Sequence, residues 1–427
     1  MPNRLRTRNK RSTRRRQFPR FSRRALSLKT YAYTCAAVLA CAALAVLYVN
    51  SCHQPTAPKH TTRATSINTQ VAARQLQSAM ERRCGSGIWI KNSAGGGITP
   101  QGGSDGEVLA VPSAFETIVS VAKREAEREG WQARLTESPS SPRWRSLELE
   151  ILRGNELVCR WRLREVPQIR RAAIIIDDLG PGLGAERQLL RLRYPLTFSV
   201  MPNLRHSTRI AEEAHQAGRE IMLHLPMQPE PGSSANPSPN ELEVGMSRLA
   251  VRRTIEADLA SVPHAQGVNN HMGSRATTDT MLMTEVMQLL GERHLYFVDS
   301  RTTPDSVALE VARRMQLPAF YRSVFLDDTE TTSYTLGQLR ELRRVVEEQG
   351  AAIAIGHPHP STISALAQFL PDLERDDIQL LPASQLVRLP EAARLWPALS
   401  RPVQAKNAAR LKGGRSKTSA SPEDHAN

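Results

Sequence analysis

Beyond residue 170 the chain repeats one rhythm: a short apolar run, a cluster of polar and turn-forming residues, then hydrophobic positions at helical spacing. The apolar runs fall at 172–176, 196–201, 220–223, 266–269, 295–298 and 351–355, with a last strand near 378–381. Helical spacing occupies 206–217, 248–261, 279–292, 304–315 and 335–349. Strands this uniformly apolar are buried on both faces, so the pattern predicts an α/β fold, a parallel sheet or (β/α) barrel, over residues 170–395. A different texture fills 66–168. An amphipathic helix starts at Ser66 or Asn68 and runs to about Arg83, a second spans 113–128, and two strands at 146–151 and 157–163 flank an Arg153-Gly154-Asn155-Glu156 turn. That predicts a small α+β domain. Its glycines between 95 and 106 have neither a strand before them nor a Gly-Lys-Ser/Thr after them, so they read as a loop and not a phosphate cradle.

Residues 31–49 are nineteen consecutive uncharged, mostly apolar positions, the length of a membrane-crossing helix. The preceding thirty residues hold ten Arg, two Lys and no acid, which keeps that head in the cytoplasm and sends the rest across the inner membrane. The expectation is a single-pass anchor with the body in the periplasm. Export with processing or lipidation near Cys52 is the alternative, and Ser22-Arg23-Arg24-Ala25-Leu26 resembles a twin-arginine signal. Residues 50–65 have linker composition, and 399–427 form a basic, polar, disordered tail.

The charge confirms this division of labour. The whole chain carries a formal +15, but removing the head and tail leaves 39 basic and 40 acidic residues in 31–400. A neutral body disfavours a nucleic-acid partner. The five cysteines (35, 41, 52, 84, 159) show no C-x-x-C spacing, which excludes a zinc ribbon. Cys84 and Cys159 either pair in the oxidising compartment or remain two buried thiols.

Unusual residues follow nearly every predicted strand: Asp177-Asp178, Asn203, His224, Asn269-Asn270-His271, Asp299 and His357-Pro358-His359. In parallel α/β folds the strand carboxyl ends carry the chemistry. Carboxylates and imidazoles collected there suit a divalent metal, Zn²⁺ before Mg²⁺, with one carboxylate left as general base.

The runs IIIDDLG, TFSVMPN, MLHLPMQP, GVNNHMGSRATTD, YFVDSRTT and IAIGHPHPSTI resemble the divergent polysaccharide deacetylases, an outlying branch of the metal-dependent carbohydrate deacetylases. The resemblance implies an irregular (β/α) barrel that hydrolyses an N-acetyl group of an envelope polysaccharide, using water activated by the metal. It implies Asp177 as base, Asp178 and His224 as metal ligands, Arg275 and Asp299 as residues orienting the base, and His357 as the acid for the leaving amine. Where the family has a second His four residues after the first, this chain has Gln228. His271 is the candidate substitute ligand, with His359 behind it, and Asn270, Ser274 and His359 are the candidates to face substrate. Loss of that His also leaves open a non-catalytic glycan-binding or scaffold protein on the same barrel, and the aspartate pair alone a Mg²⁺-dependent phosphoryl transfer.

Overall fold

The structure, a computed structural model, describes residues 60–92, 104–138, 144–232 and 240–389. Among these residues no helix is long and apolar enough to cross a membrane. The predicted anchor at 31–49, the basic head, most of the linker and the tail lie outside the described residues.

The small module begins with α1 (His60–Cys84), which starts just after Pro58, the last helix breaker of the predicted linker. There follow β1 (Ile88–Asn92), β2 (Ser104–Ala110), α2 (Pro112–Arg128), β3 (Gln132–Glu137), β4 (Ser146–Arg153) and β5 (Glu156–Glu165). The strands form one sheet in the order β1-β2-β5-β4-β3, and the predicted hairpin is β4–β5. Strand alternation sends Leu149, Ile151, Trp161 and Leu163 to one face, where they bury Met80, Phe115 and Ile118 of the helices. Each such side chain contributes roughly 1.5–3 kcal/mol on leaving water. Cys84 and Cys159 are separate free thiols, so the disulfide alternative does not hold in this structure; burial pushes the Cys159 thiol up to about 12.

The larger domain alternates β6 (Arg170–Leu179), α3 (Gly184–Arg191), β7 (Thr197–Val200), α4 (Ser207–Gln216), β8 (Glu220–Met227), α5 (Arg248–Ser261), β9 (Ala265–Met272), α6 (Thr280–Glu292) and β10 (Tyr296–Asp299). It continues with α7 (Ala308–Arg314), β11 (Ala319–Tyr321), β12 (Val324–Phe325), α8 (Thr332–Gln349), β13 (Ala351–Gly356), α9 (Pro360–Arg375), β14 (Ile378–Leu380) and α10 (Ala383–Val387). All pairings in this nine-stranded sheet are parallel, in the order β11-β10-β9-β8-β7-β6-β13-β12 with β14 also on β6.

The sheet curls into an incomplete barrel that does not close by strand pairing, with β11 and β12 as its two free ends, in keeping with the irregular (β/α) barrel expected from the sequence. Only Arg322 and Ser323 separate them in sequence. The Arg322 N–H bonds the Asp299 carbonyl on one side and the Ser323 N–H bonds Ile353 on the other, so two consecutive peptides stitch the seam. β11 and β12 are too short to show a period, which is why the sequence pattern misses them.

Alternation decides what faces the interior. Ala172, Ile174 and Ile176 join the helix-facing core, while Ala173 and Ile175 join an inner core with Met222, Tyr296, Val298, Ile353 and Ile355. The amino-terminal end is plugged by α10 and by Glu220, whose carboxylate accepts from Tyr296 Oη (2.7 Å), Thr197 Oγ1 (3.2 Å) and the Ser384 N–H (2.9 Å). Continuing the inner parity to the other end places Asp177, Ser199, His224, Asn269, His271, Ser300 and His357 inside.

Candidate active site

Asp178 breaks that alternation. As the neighbour of inward Asp177 it belongs on the helix side, but the β6 register shifts between Ile176 and Leu179, and Asp178 takes a left-handed backbone, φ 56°. The two distortions bring both carboxylates to one end of the barrel. Met272 and Arg301, at the ends of β9 and β10, are also left-handed (φ 53° and 50°), so uncommon backbone concentrates where the polar side chains do.

Three donor atoms converge there. Asp178 Oδ1 lies 3.2 Å from His224 Nε2 and 3.0 Å from His271 Nδ1, and the two imidazole nitrogens are 3.1 Å apart. Asp178 Oδ1 is buried and accepts no hydrogen bond, although two ring nitrogens stand beside it. Donor atoms packed this closely fit a shared cation. Tetrahedral zinc bound at about 2.0–2.1 Å sets its ligands at a comparable spacing. Burial opposes the Asp178 charge, yet the His224 and His271 imidazoles hold its carboxyl well below the usual carboxylate range. Burial likewise opposes the charge of His224, but Asp177 and Asp178 raise its pKa.

Asp177, 3% exposed, receives both of its hydrogen bonds from Asn269 Nδ2, at 2.8 and 3.1 Å. Across the gap, His357 Nε2 is 3.7 Å from Asp178 Oδ2. Its Nδ1 is 3.0 Å from Asp327 Oδ1, and the other Asp327 oxygen accepts from the His357 N–H and from Thr362 Oγ1. The Phe325 ring meets the imidazole edge-on at 5.5 Å. Burial works against a charged His357, but the Asp327 hydrogen bond and the nearby Asp177 and Asp178 raise its pKa to about 9. Asp327, His357 and His359 form a second group with ligand chemistry. Asp327 already accepts three hydrogens, so its oxygens are committed to holding His357.

Several residues singled out by sequence stand elsewhere. Neither Arg275 nor Asp299 hydrogen-bonds Asp177 among the described residues. The Arg275 N–H is held by the Gln228 carbonyl, and Asp299, on the outward parity of β10, accepts from the Arg301 N–H (2.8 Å) and Ser306 Oγ (2.8 Å). Burial raises the Asp299 pKa. The guanidinium whose charge bears on both Asp177 and Asp299 is Arg322, which donates to the Ser300 and Arg301 carbonyls and stacks on Phe325. Asn270 is 1% exposed and pins the loop, taking the Ser300 N–H and donating to the Met272 carbonyl, so it cannot face substrate. Ser274 Oγ accepts the Glu230 N–H, and His359 stands at the rim, 3.5 Å from Glu330. Gln228 turns its Oε1 to the Val244 N–H and so serves a neighbouring segment. Asn269 is named from sequence but given no role, and Ser199, Ser300, Arg322 and Asp327 are not assigned to the site from sequence at all. Extending the alternation from Val268 would have found the first, since an outward Val268 makes Asn269 inward; Arg322 and Asp327 left no such signal.

Residues 174–387, half of the chain, match the family model described as divergent polysaccharide deacetylase. The chain is 36% identical over 228 residues to the uncharacterized protein YibQ of Escherichia coli K12, covering 53% of this chain and 70% of that one. It is also 36% identical over 218 residues to an uncharacterized Haemophilus influenzae protein, covering 51% of this chain and 77% of the relative. Among solved structures, an uncharacterized Agrobacterium tumefaciens C58 protein aligns with TM-score 0.49 and 24% identity, over 51% of this chain and 89% of that one.

Proposed function

The chain belongs to the divergent polysaccharide deacetylase family, and from that membership we propose that it removes acetyl groups from an N-acetylated cell-envelope polysaccharide. The observation that carries the proposal is the convergence of Asp178, His224 and His271 on one point, with Asp177 beside them and His357 opposite. Asp178, His224 and His271 would hold a divalent metal, zinc on the strength of two imidazoles and one carboxylate. When bound, such an ion polarises an acyl oxygen and acidifies water.

The chain's own groups do the proton work. Asp177 takes a proton from the attacking water, a carbon–oxygen bond forms as the amide carbon–nitrogen bond breaks, and His357 Nε2 gives its proton to the departing amine. Asp327 keeps Nδ1 occupied, so Nε2 is the nitrogen that faces the reaction. We extend the proposal to location: the Arg-rich head and the apolar 31–49 run support a membrane-anchored protein with this domain in the periplasm.

The near-complete cover of Asp177 by Asn269 favours a second reading, a glycan-binding protein without turnover. Acetate release from N-acetylated oligosaccharides separates the two. Release that stops with chelator and in Asp177→Asn supports hydrolysis; glycan binding that survives chelation, with no acetate formed, overturns it.

A further inference from the structure

Resting on the metal site proposed above, the geometry assigns Asn269 as the positioning residue that prepares both His224 and Asp177. Asn269 is fully buried on β9 at the inner parity, and all of its amide hydrogen-bonding capacity points into the site. Nδ2 donates to Asp177 Oδ1 (2.8 Å) and Oδ2 (3.1 Å) and reaches Ser300 Oγ at 3.3 Å. Oδ1 accepts from Ser199 Oγ (2.6 Å) and faces His224 Nδ1 at 2.9 Å.

The orientation of this amide follows from its neighbours. Flipped, it would set its oxygen against a carboxylate at 2.8 Å and its NH₂ against the ring nitrogen. With Oδ1 towards the ring, His224 Nδ1 must carry the hydrogen, so in the neutral imidazole Nε2 is bare. Nε2 is the atom 3.2 Å from Asp178 Oδ1 and 3.1 Å from His271 Nδ1. Without Asn269 the competing tautomer would place a hydrogen on Nε2 beside Asp178, closing the position a cation needs. One amide thus sets a ligand's tautomer through its oxygen and holds the base through its nitrogen, the outer-shell role that carboxylates and carbonyls commonly fill.

The test uses the full chain with ¹⁵N-labelled histidine, metal-free and at alkaline pH so that the rings are neutral. In the parent, His224 should show a protonated Nδ1 and a bare Nε2 in long-range ¹H–¹⁵N spectra. Asn269→Leu should lose that fixed tautomer and weaken Zn²⁺ binding about 10–100-fold in chelator competition. Asn269→Asp keeps an acceptor for Nδ1–H but opposes Asp177, so it should retain the tautomer and Zn²⁺ affinity while losing turnover. If Asn269→Leu fails to fold, the parent and Asn269→Asp spectra decide the matter. A hydrogen on Nε2 in the metal-free parent, or an Asn269→Leu protein with unchanged tautomer and Zn²⁺ affinity, overturns the assignment. A fixed Nδ1–H in a parent that binds no Zn²⁺ would instead overturn the metal site while leaving the tautomer control intact.

Discussion

At the amino-terminal end of the barrel strands, a cleft of about 640 Å³ between the small module and the barrel is lined by Lys91, Glu107, Glu148, Arg160, Glu374 and Arg375, among others. At the carboxyl end, the cluster of Asp177, Asp178, His224, His271 and His357 contains no lysine or arginine. The cleft holds more charges, yet nearly all are answered. Lys91 Nζ lies 2.9 Å from Asp377 and 3.6 Å from Glu107, Arg164 lies 2.6 and 3.0 Å from the same two carboxylates, and Arg160 is within 3.0 Å of Glu148 and 2.7 Å of Glu150. In the carboxyl-end cluster, no lysine or arginine hydrogen-bonds either aspartate among the described residues, and the Asp178 carboxylate is met by imidazoles, those of His224, His271 and His357. What distinguishes the two ends is the kind of partner, fixed cations for the carboxylates of the cleft and titratable imidazoles for Asp178, and the number of charges does not reveal it.

Perturbing each end should therefore have unlike effects. The largest is expected from His271→Ala, which removes one of three converging donors. Metal affinity should fall by more than the roughly 100-fold typical of losing an outer-shell partner, with little change in thermal unfolding of the metal-free protein. Elemental analysis and a melting curve check this; full metal retention would erase the contrast between the two ends.

Asp258 on α5 sharpens the contrast, since it is a buried carboxylate unrelated to the converging donors. One oxygen accepts from Asn203 at 2.7 Å and the other has no hydrogen-bond partner among the described residues. Burial raises its pKa to about 6 despite Asn203. The folded chain therefore holds this proton more tightly than the unfolded chain does, so stability falls as pH rises from about 4 through 6 and stays reduced above. Asp258→Asn should stabilise the protein at neutral pH, by an amount on the order of 1–3 kcal/mol, and give no gain below about pH 4. Denaturant titrations at two pH values check both halves.

In the cleft, Asp377→Asn preserves the left-handed backbone (φ 59°) that asparagine tolerates and removes only the charge facing Lys91 and Arg164. A loss of about 1 kcal/mol at neutral pH is expected. Burial tends to raise the Asp377 pKa, but Lys91 and Arg164 outweigh it and hold the value down. The parent's advantage should thus be present above the ordinary carboxylate range and vanish as acid protonates Asp377. The smallest effect belongs to exposed Arg162, which has no ion pair among the described residues. Arg162→Gln should stay within about 0.5 kcal/mol of the parent in the same titration, and a larger loss would mean that this arginine too is held by a carboxylate of the cleft.

Long apolar runs made most of the barrel legible from the chain alone, and the α5 boundaries at 248 and 261 coincide with the helical spacing. The polar residues after each run pointed to the carboxyl end for the same reason. Identity within the cluster was harder, because adjacent residues on a strand face opposite ways. Asn269 and Asn270 look alike in sequence, yet parity sends one into the site and the other into the wall. Arg322 and Asp327 flank a strand of two residues, and Asp327 meets His357 across thirty positions, a contact no local pattern encodes. α9 is not among the helical stretches read from the sequence; Pro360 stands in its first turn and Pro371 inside it, and its buried face (Ile363, Leu366, Phe369, Leu370) packs it in place.

The two-peptide stitch at the seam also governs how the molecule treats its neighbours. β11 and β12 each pair on one side only, so if the backbone were cut between Arg322 and Ser323 the barrel could part there and present two raw parallel edges. Such edges are templates for strands of other molecules. The continuity of the chain through Arg322 and Ser323 thus helps keep those edges from being offered to the surroundings.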